Sequence, residues 1–440
     1  MKKKAALHNL GCKVNAYETE AMQQMLEAEG YEIVPFAPGA DVYVINTCTV
    51  TNIADRKSRQ MLHKAKKMNP DAIVVATGCY VQAGIEKAQE DLSIDLIIGN
   101  NKKQDLVAIL QEYEKEKIRK NETIDINHTK EYEELNIDRT QEHTRAYIKV
   151  QDGCNQFCSY CLIPYARGRI RSRKTELVVA EVERLAKSGC QEVVLTGIHL
   201  SSYGMERKED GETLLTLIQA VHNVEGIRRI RLGSLEPGII TEEFVSAISQ
   251  LPKVCPHFHL SLQSGCTETL KRMNRRYTAK EYQERCDILR KYYKAPALTT
   301  DVIVGFPGET EEEFSASKEF VENIYFYETH IFPYSKREGT RAAVMPNQIP
   351  EAVKKERSKI LIELGQEHQV AYMKQFLGQE LEVLFEEQQE LGGQLYWVGH
   401  TMEYLKVAVN TQENLDNICR KVRCEEIYEG EFLLGTICNT

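Results

Sequence analysis

Apolar residues in the first hundred positions follow two rhythms. Three short runs, 4–10 (KAALHNL), 41–46 (DVYVIN) and 72–77 (AIVVAT), are continuous enough to form buried strands. Between them, YETEAMQQMLEAEG and ADRKSRQMLHKAKKMNP space their apolar residues as helices do. The first ends at a glycine and the second before a proline, both ordinary helix stops. A further run, DLIIGN, predicts a fourth strand. This alternation predicts an open parallel α/β sheet over 1–111 with helices on its faces. From 112 to 144 charges displace apolar residues and predict a linker, although 112–120 reads equally well as a solvated helix of the first domain.

The rhythm then resumes. AYIKV (146–150), EVVLTG (192–197), RIRLGS (229–234), HFHLSL (257–262), TTDVIVGF (299–306) and THIFPYS (329–335) alternate with amphipathic segments. Six such units over 145–371 predict a partial (β/α)6 barrel, where chemistry belongs at the carboxyl ends of the strands. Beyond a long helical stretch, ELEVLFEE, GGQLYWVGHT, YLKVAVN and EGEFLLGTI predict a small antiparallel β-barrel over 372–440. The fold class is therefore α/β with a β-domain appended.

Composition narrows the chemistry. At 440 residues, 42% hydrophobic and 28% charged, the chain is ordinary globular protein. No run approaches the eighteen or so apolar residues of a membrane span, and no signal peptide opens it, so the expected location is cytoplasmic. A net charge of −9 argues against indiscriminate coating of nucleic acid but leaves room for a local basic patch. Thirteen cysteines in a chain without a secretory signal favour metal or cluster ligation over disulfides.

Cys154, Cys158 and Cys161 form a C-x3-C-x2-C triplet directly after the first barrel strand. Three thiolates so close on one loop can hold three irons of a [4Fe–4S] cluster and leave the fourth iron open. A structural zinc site wants a fourth protein ligand, and no other Cys or His lies nearby. In the first domain Cys12, Cys48 and Cys79 each follow the end of a strand. In a parallel sheet those ends share one edge, so the three converge although far apart in sequence. A second three-cysteine cluster site is the economical reading. The other seven cysteines show no such pattern.

With those residues in place, the sequence resembles a known family. The triplet, with Tyr160 before its last cysteine and on the first strand of a βα series, is similar to that of the radical S-adenosylmethionine enzymes. Joined to NLGCKVN (9–15), INTCTVT (45–51) and ATGCY (76–80), it resembles the methylthiotransferases, whose small RNA-binding TRAM module matches the carboxyl-terminal domain. NLGCKVN is similar to the branch acting on C2 of N6-threonylcarbamoyladenosine at position 37 of tRNA. Alternatives within the family act on isopentenyladenosine of tRNA or on a ribosomal protein. Outside it stand a non-catalytic iron–sulfur protein that binds RNA and a zinc-binding RNA protein.

The resemblance implies two [4Fe–4S] clusters, a radical one on Cys154, Cys158 and Cys161 and an auxiliary one on Cys12, Cys48 and Cys79. It also implies S-adenosylmethionine as cofactor, tRNA (the anticodon loop) as partner, an electron-donor protein and a sulfur source. Cofactor contacts are expected from Tyr160 and the strand ends, at Thr196, Gly197, Ser234, Glu236, Gln263 and Gly305. Glycine permits close approach there, and the polar groups can bond ribose and amino-acid moieties. Two basic segments, YARGRIRSRK (165–174) and KRMNRRY (271–277), are expected to meet RNA phosphates through Arg167, Arg169, Arg171, Arg173, Arg275 and Arg276. Arg420, Lys421 and Arg423 of the β-domain would add a further RNA contact. His199, His257, His259 and His330 lie at or near barrel strands and read best as satisfied core histidines.

Overall fold

The computed structural model describes residues 2–140 and 144–438. The first sheet has six parallel strands in the order Glu32–Ile33, Lys4–Asn9, Val42–Thr47, Ile73–Gly78, Leu96–Ile98 and Lys120–Glu122. Both faces are buried, which is why its strands read as unbroken apolar runs. Val42, Val44, Val75 and Leu96 pack toward the helices Lys13–Ala28 and Leu106–Glu116. Tyr43, Ile45, Val74 and Ala76 pack toward the helix Asn52–Met68.

The expected linker is corrected here. Its first part is the end of the helix Leu106–Glu116 and the sixth strand of the sheet. Its later part is packed: Leu135 and Ile137 join the central core, and the Ile137 amide donates to Glu181 at 2.6 Å. A few well-placed apolar residues anchor this charged stretch, and composition averaged over a window hides them.

The second unit carries the six expected strands: Arg145–Asp152, Glu192–Gly197, Arg229–Leu232, His257–His259, Ala297–Val304 and Glu328–Pro333. Single parallel bridges, Ile230 to Val254 and Leu235 to Leu260, join the third strand to the fourth. A two-residue strand, Arg171–Ser172, returns antiparallel along the edge of the first. Along each strand one set of alternate residues enters the apolar core under the helices (Ile148, Val193, Ile230, Phe258, Leu298). The other set is polar and lines the barrel interior: Lys149, Thr196, Arg231, His257, His259, Thr299, Asp301 and His330.

The helix Glu351–Lys374 runs past the expected boundary at 372, and its last turn with Phe376 plugs the β-domain core through Tyr372 and Met373. That domain is a closed barrel of Glu380–Leu391, Gln394–His400, Lys406–Val409, Phe432–Ile437 and Cys419–Tyr428. It is antiparallel except that Lys406–Val409 and Phe432–Ile437 run parallel, which is how the barrel closes. Among the described residues no helix is long and apolar enough to cross a membrane.

The β-domain sits on the amino-terminal end of the central barrel. The ring of Tyr404 stacks on His257 (4.7 Å) and His400 (4.6 Å), with the guanidinium groups of Arg231 (4.7 Å) and Arg145 (5.3 Å) over it. Glu192, fully buried, pairs with Arg145 at 2.5 Å and Arg231 at 2.9 Å. Burial opposes its charge, but those arginines outweigh it and hold the carboxyl far below the usual range. Tyr404→Ala removes the ring that both cations face. It should cost on the order of 2–3 kcal/mol and expose the segment before the β-domain to protease, whereas Tyr404→Phe keeps the ring and should be near neutral. Thermal melts and limited proteolysis of the two variants check this.

Candidate active site between two cysteine triplets

Three neighbouring strands of the amino-terminal sheet, Lys4–Asn9, Val42–Thr47 and Ile73–Gly78, deliver their cysteines to one edge. Cys12 caps the helix Lys13–Ala28, Cys48 follows Val42–Thr47, and Cys79 opens the short helix Cys79–Ala83. The strands are in register, Asn9 beside Asn46 and Asn46 beside Thr77, so the thiols leave the sheet side by side. Glycines make the approach possible. At Gly11 (φ +107°) a Cβ would lie 2.9 Å from the Cys48 sulfur, and at Gly78 (φ +95°) it would meet Asn46 and Thr47 at 2.5 and 2.6 Å. Burial, reinforced by the Cys79 and Cys12 thiols, pushes Cys48 up to about 12. Cys12 is exposed, whereas Cys48 and Cys79 are buried.

Behind this edge lies a buried ionic knot. Arg167 donates through Nε to the Cys79 sulfur at 3.2 Å, and its other nitrogens reach Glu18 (2.5 and 2.9 Å), Asn15 (2.5 Å) and Asp152 (3.3 Å). Lys149 bonds both Glu18 and Asp152 at 2.8 Å, and Lys103 lies 3.2 Å from Glu18. Burial raises the Glu18 carboxyl, but Arg167, Lys103 and Lys149 outweigh it and hold it well below the ordinary value. With Arg171 3.7 Å from Asp152, four cations thus face Glu18, Asp152 and the buried Glu133, and Arg167 carries positive charge to the sulfur of Cys79. A thiolate or an anionic cluster fits that charge.

The second triplet lies on the loop after Arg145–Asp152. Gly153 (φ +73°) starts it where a Cβ would overlap the carbonyl of Arg169. The Gln156 amide points at the Cys154 sulfur (3.5 Å), the Ile163 amide at Cys161 (3.4 Å) and Arg275 Nη1 at Cys158 (3.2 Å). Donors aimed at all three sulfurs suit thiolates that ligate metal. Burial pushes Cys154 up to about 11 and Cys161 up to about 12 in the metal-free chain. All thirteen cysteines are free of disulfides.

The expected cofactor contacts divide. Glu236 is tied to Arg275 at 2.8 Å and faces His199 at 3.6 Å. Burial opposes its charge, but His199 and Arg275 keep the carboxyl below its ordinary value. Tyr160 meets Phe306 edge-on at 6.3 Å. Thr196 is buried, and Gly197 lies against Gln151. Gln263 adopts a left-handed turn (φ +68°), and Ser234 is exposed. Gly305 serves packing, because its Cα faces the stem of Lys354, where a Cβ would lie 2.4 Å from Cγ.

The expected RNA contacts are largely corrected. Arg167 is in the knot, Arg171 is buried against the carbonyl of Arg167 (3.0 Å), and Arg173 is buried against Glu181 and Glu134. Arg275 is held by Cys158 and Glu236. Only Arg169, stacked over Phe157 at 4.5 Å, and Arg276 are exposed. For Arg171 and Arg173 the reason is topological: 171–172 pairs with the first barrel strand, which draws this segment into the protein. In the β-domain Arg420 and Arg423 are paired with Glu413 and Glu380.

The polar barrel wall was missed. The always-charged Arg231 donates to His257 Nδ1 (3.2 Å), so His257 carries its proton on Nε2 and donates to Thr299 (3.3 Å). Burial and Arg231 keep His257 neutral. The Thr299 hydroxyl in turn serves His259 Nδ1 at 3.0 Å, leaving His259 Nε2–H directed at Asp301, 3.4 Å away. His330 stacks on His259 at 5.8 Å, and its side chain is exposed. The signal was present in the sequence: HFH and TTD carry polar residues at period two on barrel strands. Lys13, beside Cys12, feels Arg231, Arg145, Glu192 and Glu328, so the start of its helix faces the barrel strands.

Comparison with known proteins agrees with this architecture. Residues 148–321 match the radical SAM superfamily, and residues 4–99 match the model described as uncharacterized protein family UPF0004. The chain belongs to the radical S-adenosylmethionine methylthiotransferases, enzymes that use S-adenosylmethionine and two [4Fe–4S] clusters. It is 41% identical to the threonylcarbamoyladenosine tRNA methylthiotransferase MtaB of Bacillus subtilis, covering 95% of this chain and 93% of the relative. It is 42% identical to the MtaB of Aquifex aeolicus over 88% and 94%. It is 38% identical to the tRNA-2-methylthio-N(6)-dimethylallyladenosine synthase of Moorella thermoacetica over 86% and 85%. Among solved structures the radical S-adenosylmethionine methyltransferase TsrM from Kitasatospora setae shares the fold, with a TM-score of 0.56 at 16% identity over 78% of this chain and 77% of that one.

Arg167→Ala would take from Glu18, Asp152 and Asn15 the buried hydrogen bonds that Arg167 supplies and remove the donor to Cys79. A loss of about 3–5 kcal/mol is expected, with iron content falling by up to half because one of two cluster sites is hit. Because Glu18 is held below its unfolded value, the knot's contribution is present above about pH 4.5 and is lost as pH falls through the folded-state value. Melting temperature against pH and iron analysis of wild type and variant read both effects.

Proposed function

We propose that this chain methylthiolates C2 of N6-threonylcarbamoyladenosine at position 37 of tRNA. The observation that carries the reading is the pair of cysteine triplets joined through Arg167, which bonds both Cys79 and Asp152, two residues before Cys154. In this reading Cys154, Cys158 and Cys161 hold the radical cluster, and Cys12, Cys48 and Cys79 hold the auxiliary one. When bound, these groups and S-adenosylmethionine supply one-electron cleavage, hydrogen abstraction and the transferred sulfur. The protein's part is placement. Arg275 fixes Cys158 and Glu236 together, so the ionised Glu236 can accept from the cofactor's amino group while the arginine stays clear of RNA. Tyr160 and Phe306 form an apolar wall beside that loop and exclude water.

The relay from Arg231 to His259 favours the threonylcarbamoyl branch. It sets a fixed N–H donor, a carboxylate acceptor and the His330 ring side by side. A urea-linked amino acid satisfies such a wall, whereas a hydrocarbon substituent would leave it unpaired, and discrimination by buried hydrogen bonds is steep. The relatives named for threonylcarbamoyladenosine support the same branch.

The test is reconstituted enzyme with tRNA carrying either substituent, read by nucleoside mass spectrometry. Methylthio product on the threonylcarbamoyl substrate is expected. Product on the isopentenyl substrate alone would keep the enzyme class and overturn the branch. Asp301→Asn combined with His330→Ala should lower kcat/KM for the threonylcarbamoyl substrate about 10–100-fold, which corresponds to one or two buried hydrogen bonds. Cys48→Ala should abolish product.

A further inference from the structure

With four of six expected arginines withdrawn into the protein, the structure still offers a surface for a polyanion, and it lies elsewhere. The helix Asn52–Met68 begins at Thr51, whose hydroxyl accepts the Ala54 amide at 3.1 Å, and buries Ser58, Leu62 and Ala65 against the sheet. Its outward face carries Arg56, Lys57, Lys64 and Lys67, all exposed. The only acid in the helix, Asp55, is bound to Arg337 at 2.7 Å. Two further basic groups are already engaged, Lys66 with Asp95 and His63 with Asp91, both at 2.9 Å. Among the described residues Arg56, Lys57, Lys64 and Lys67 have no acidic partner. In a chain of net charge −9, four uncompensated cations on one face are a local inversion of sign.

Position gives the face a purpose. At its amino-terminal end Asn52 reaches across to the central domain, its amide to Ser335 Oγ (3.2 Å) and its side chain to the Lys336 carbonyl (2.9 Å). There the helix borders a cleft of about 730 Å³ whose lining includes Thr49, Arg59, Tyr80, Leu162 and Arg337. Thr49 follows Cys48, Tyr80 follows Cys79, and Leu162 follows Cys161, so the cleft touches residues next to both triplets. Val50 and Ile53 stand exposed beside its rim, at 58% and 57%.

We propose that the outward face of Asn52–Met68 binds the sugar–phosphate backbone of the substrate RNA, with the cleft at its amino-terminal end taking up a neighbouring nucleotide. From Arg56 to Lys67 the face spans about 16 Å at 1.5 Å per residue, room for several phosphates in succession. The cations bind by charge and counterion release, without sequence preference, while the apolar rim meets an unstacked base. The proposal rests on the RNA-substrate reading above and assigns that substrate a second point of attachment, separate from the interior site.

The experiment measures tRNA binding by the cluster-loaded full chain across a salt series. It compares wild type with a variant carrying Arg56→Gln, Lys57→Gln, Lys64→Gln and Lys67→Gln. The variant should bind about 10–100-fold more weakly near 0.1 M salt, and its log–log salt slope should be shallower by about three. Iron content and melting temperature report whether it is folded. Should it fail to load clusters, the single variants Lys64→Gln and Lys67→Gln carry the test, each lowering the slope by about one. Wild-type affinity and slope retained in folded variants would overturn the proposal while leaving the RNA reading intact. A wild type that neither binds nor modifies tRNA would overturn both.

Discussion

Arg167 is the point at which the two cysteine-bearing units become one structure. Its guanidinium bridges Glu18 and Asn15 of the amino-terminal helix, Asp152 of the first barrel strand and the sulfur of Cys79. Ions removed from water carry a penalty of several kcal/mol each, and only close, multiple contacts offset it. With Lys149 and Lys103 the charges nearly balance, so separating the units would flood a fully buried ionic set. The relative placement of the triplets is therefore fixed before any cluster is present. Because the knot retains an extra positive charge, an anionic cluster at Cys79 completes it rather than strains it.

The barrel interior obeys a related constraint at its other end. A wall of histidines, threonine and aspartate is affordable inside a protein only if each polar group is satisfied. Arg231 and Glu192 begin the chain of hydrogen bonds from below, and Tyr404 of the β-domain covers both arginines and His257. The β-domain thus acts on the interior through Arg231: the Met402 carbonyl accepts from the same Arg231 nitrogen, at 3.1 Å, that donates to His257 Nδ1. The choice of His257 tautomer then passes to His259 through Thr299.

Much of this was legible in the sequence, for identifiable reasons. Strand-end cysteines were readable because a parallel sheet sends the ends of successive strands to one edge, and the C-x3-C-x2-C loop needed no tertiary information. The arginines of 165–174 were misread because charge was counted without direction. A two-residue strand, too short to register as a pattern, turns Arg171 and Arg173 inward. The linker was misread because Leu135 and Ile137 are isolated in a charged stretch, yet each finds a place in the central core. The basic helix Asn52–Met68 was recognised as a helix but not as a surface. Which of its cations stay unpaired depends on Asp91, Asp95 and Arg337, brought in from other elements.

That distribution of charge bears on selectivity. Long-range repulsion from an acidic chain disfavours binding of arbitrary polyanions, while a short unpaired strip still gives local attraction within about a Debye length of 8–10 Å. An RNA held only by the strip gains little. One that also places a polar-substituted base against Asp301, His259 and His330 adds directional hydrogen bonds in a secluded interior, where they discriminate most. The cations govern encounter and the barrel wall governs choice. Separating the two tasks lets one scaffold keep its cluster chemistry while the substituent it accepts is set by a few inward residues of the barrel strands.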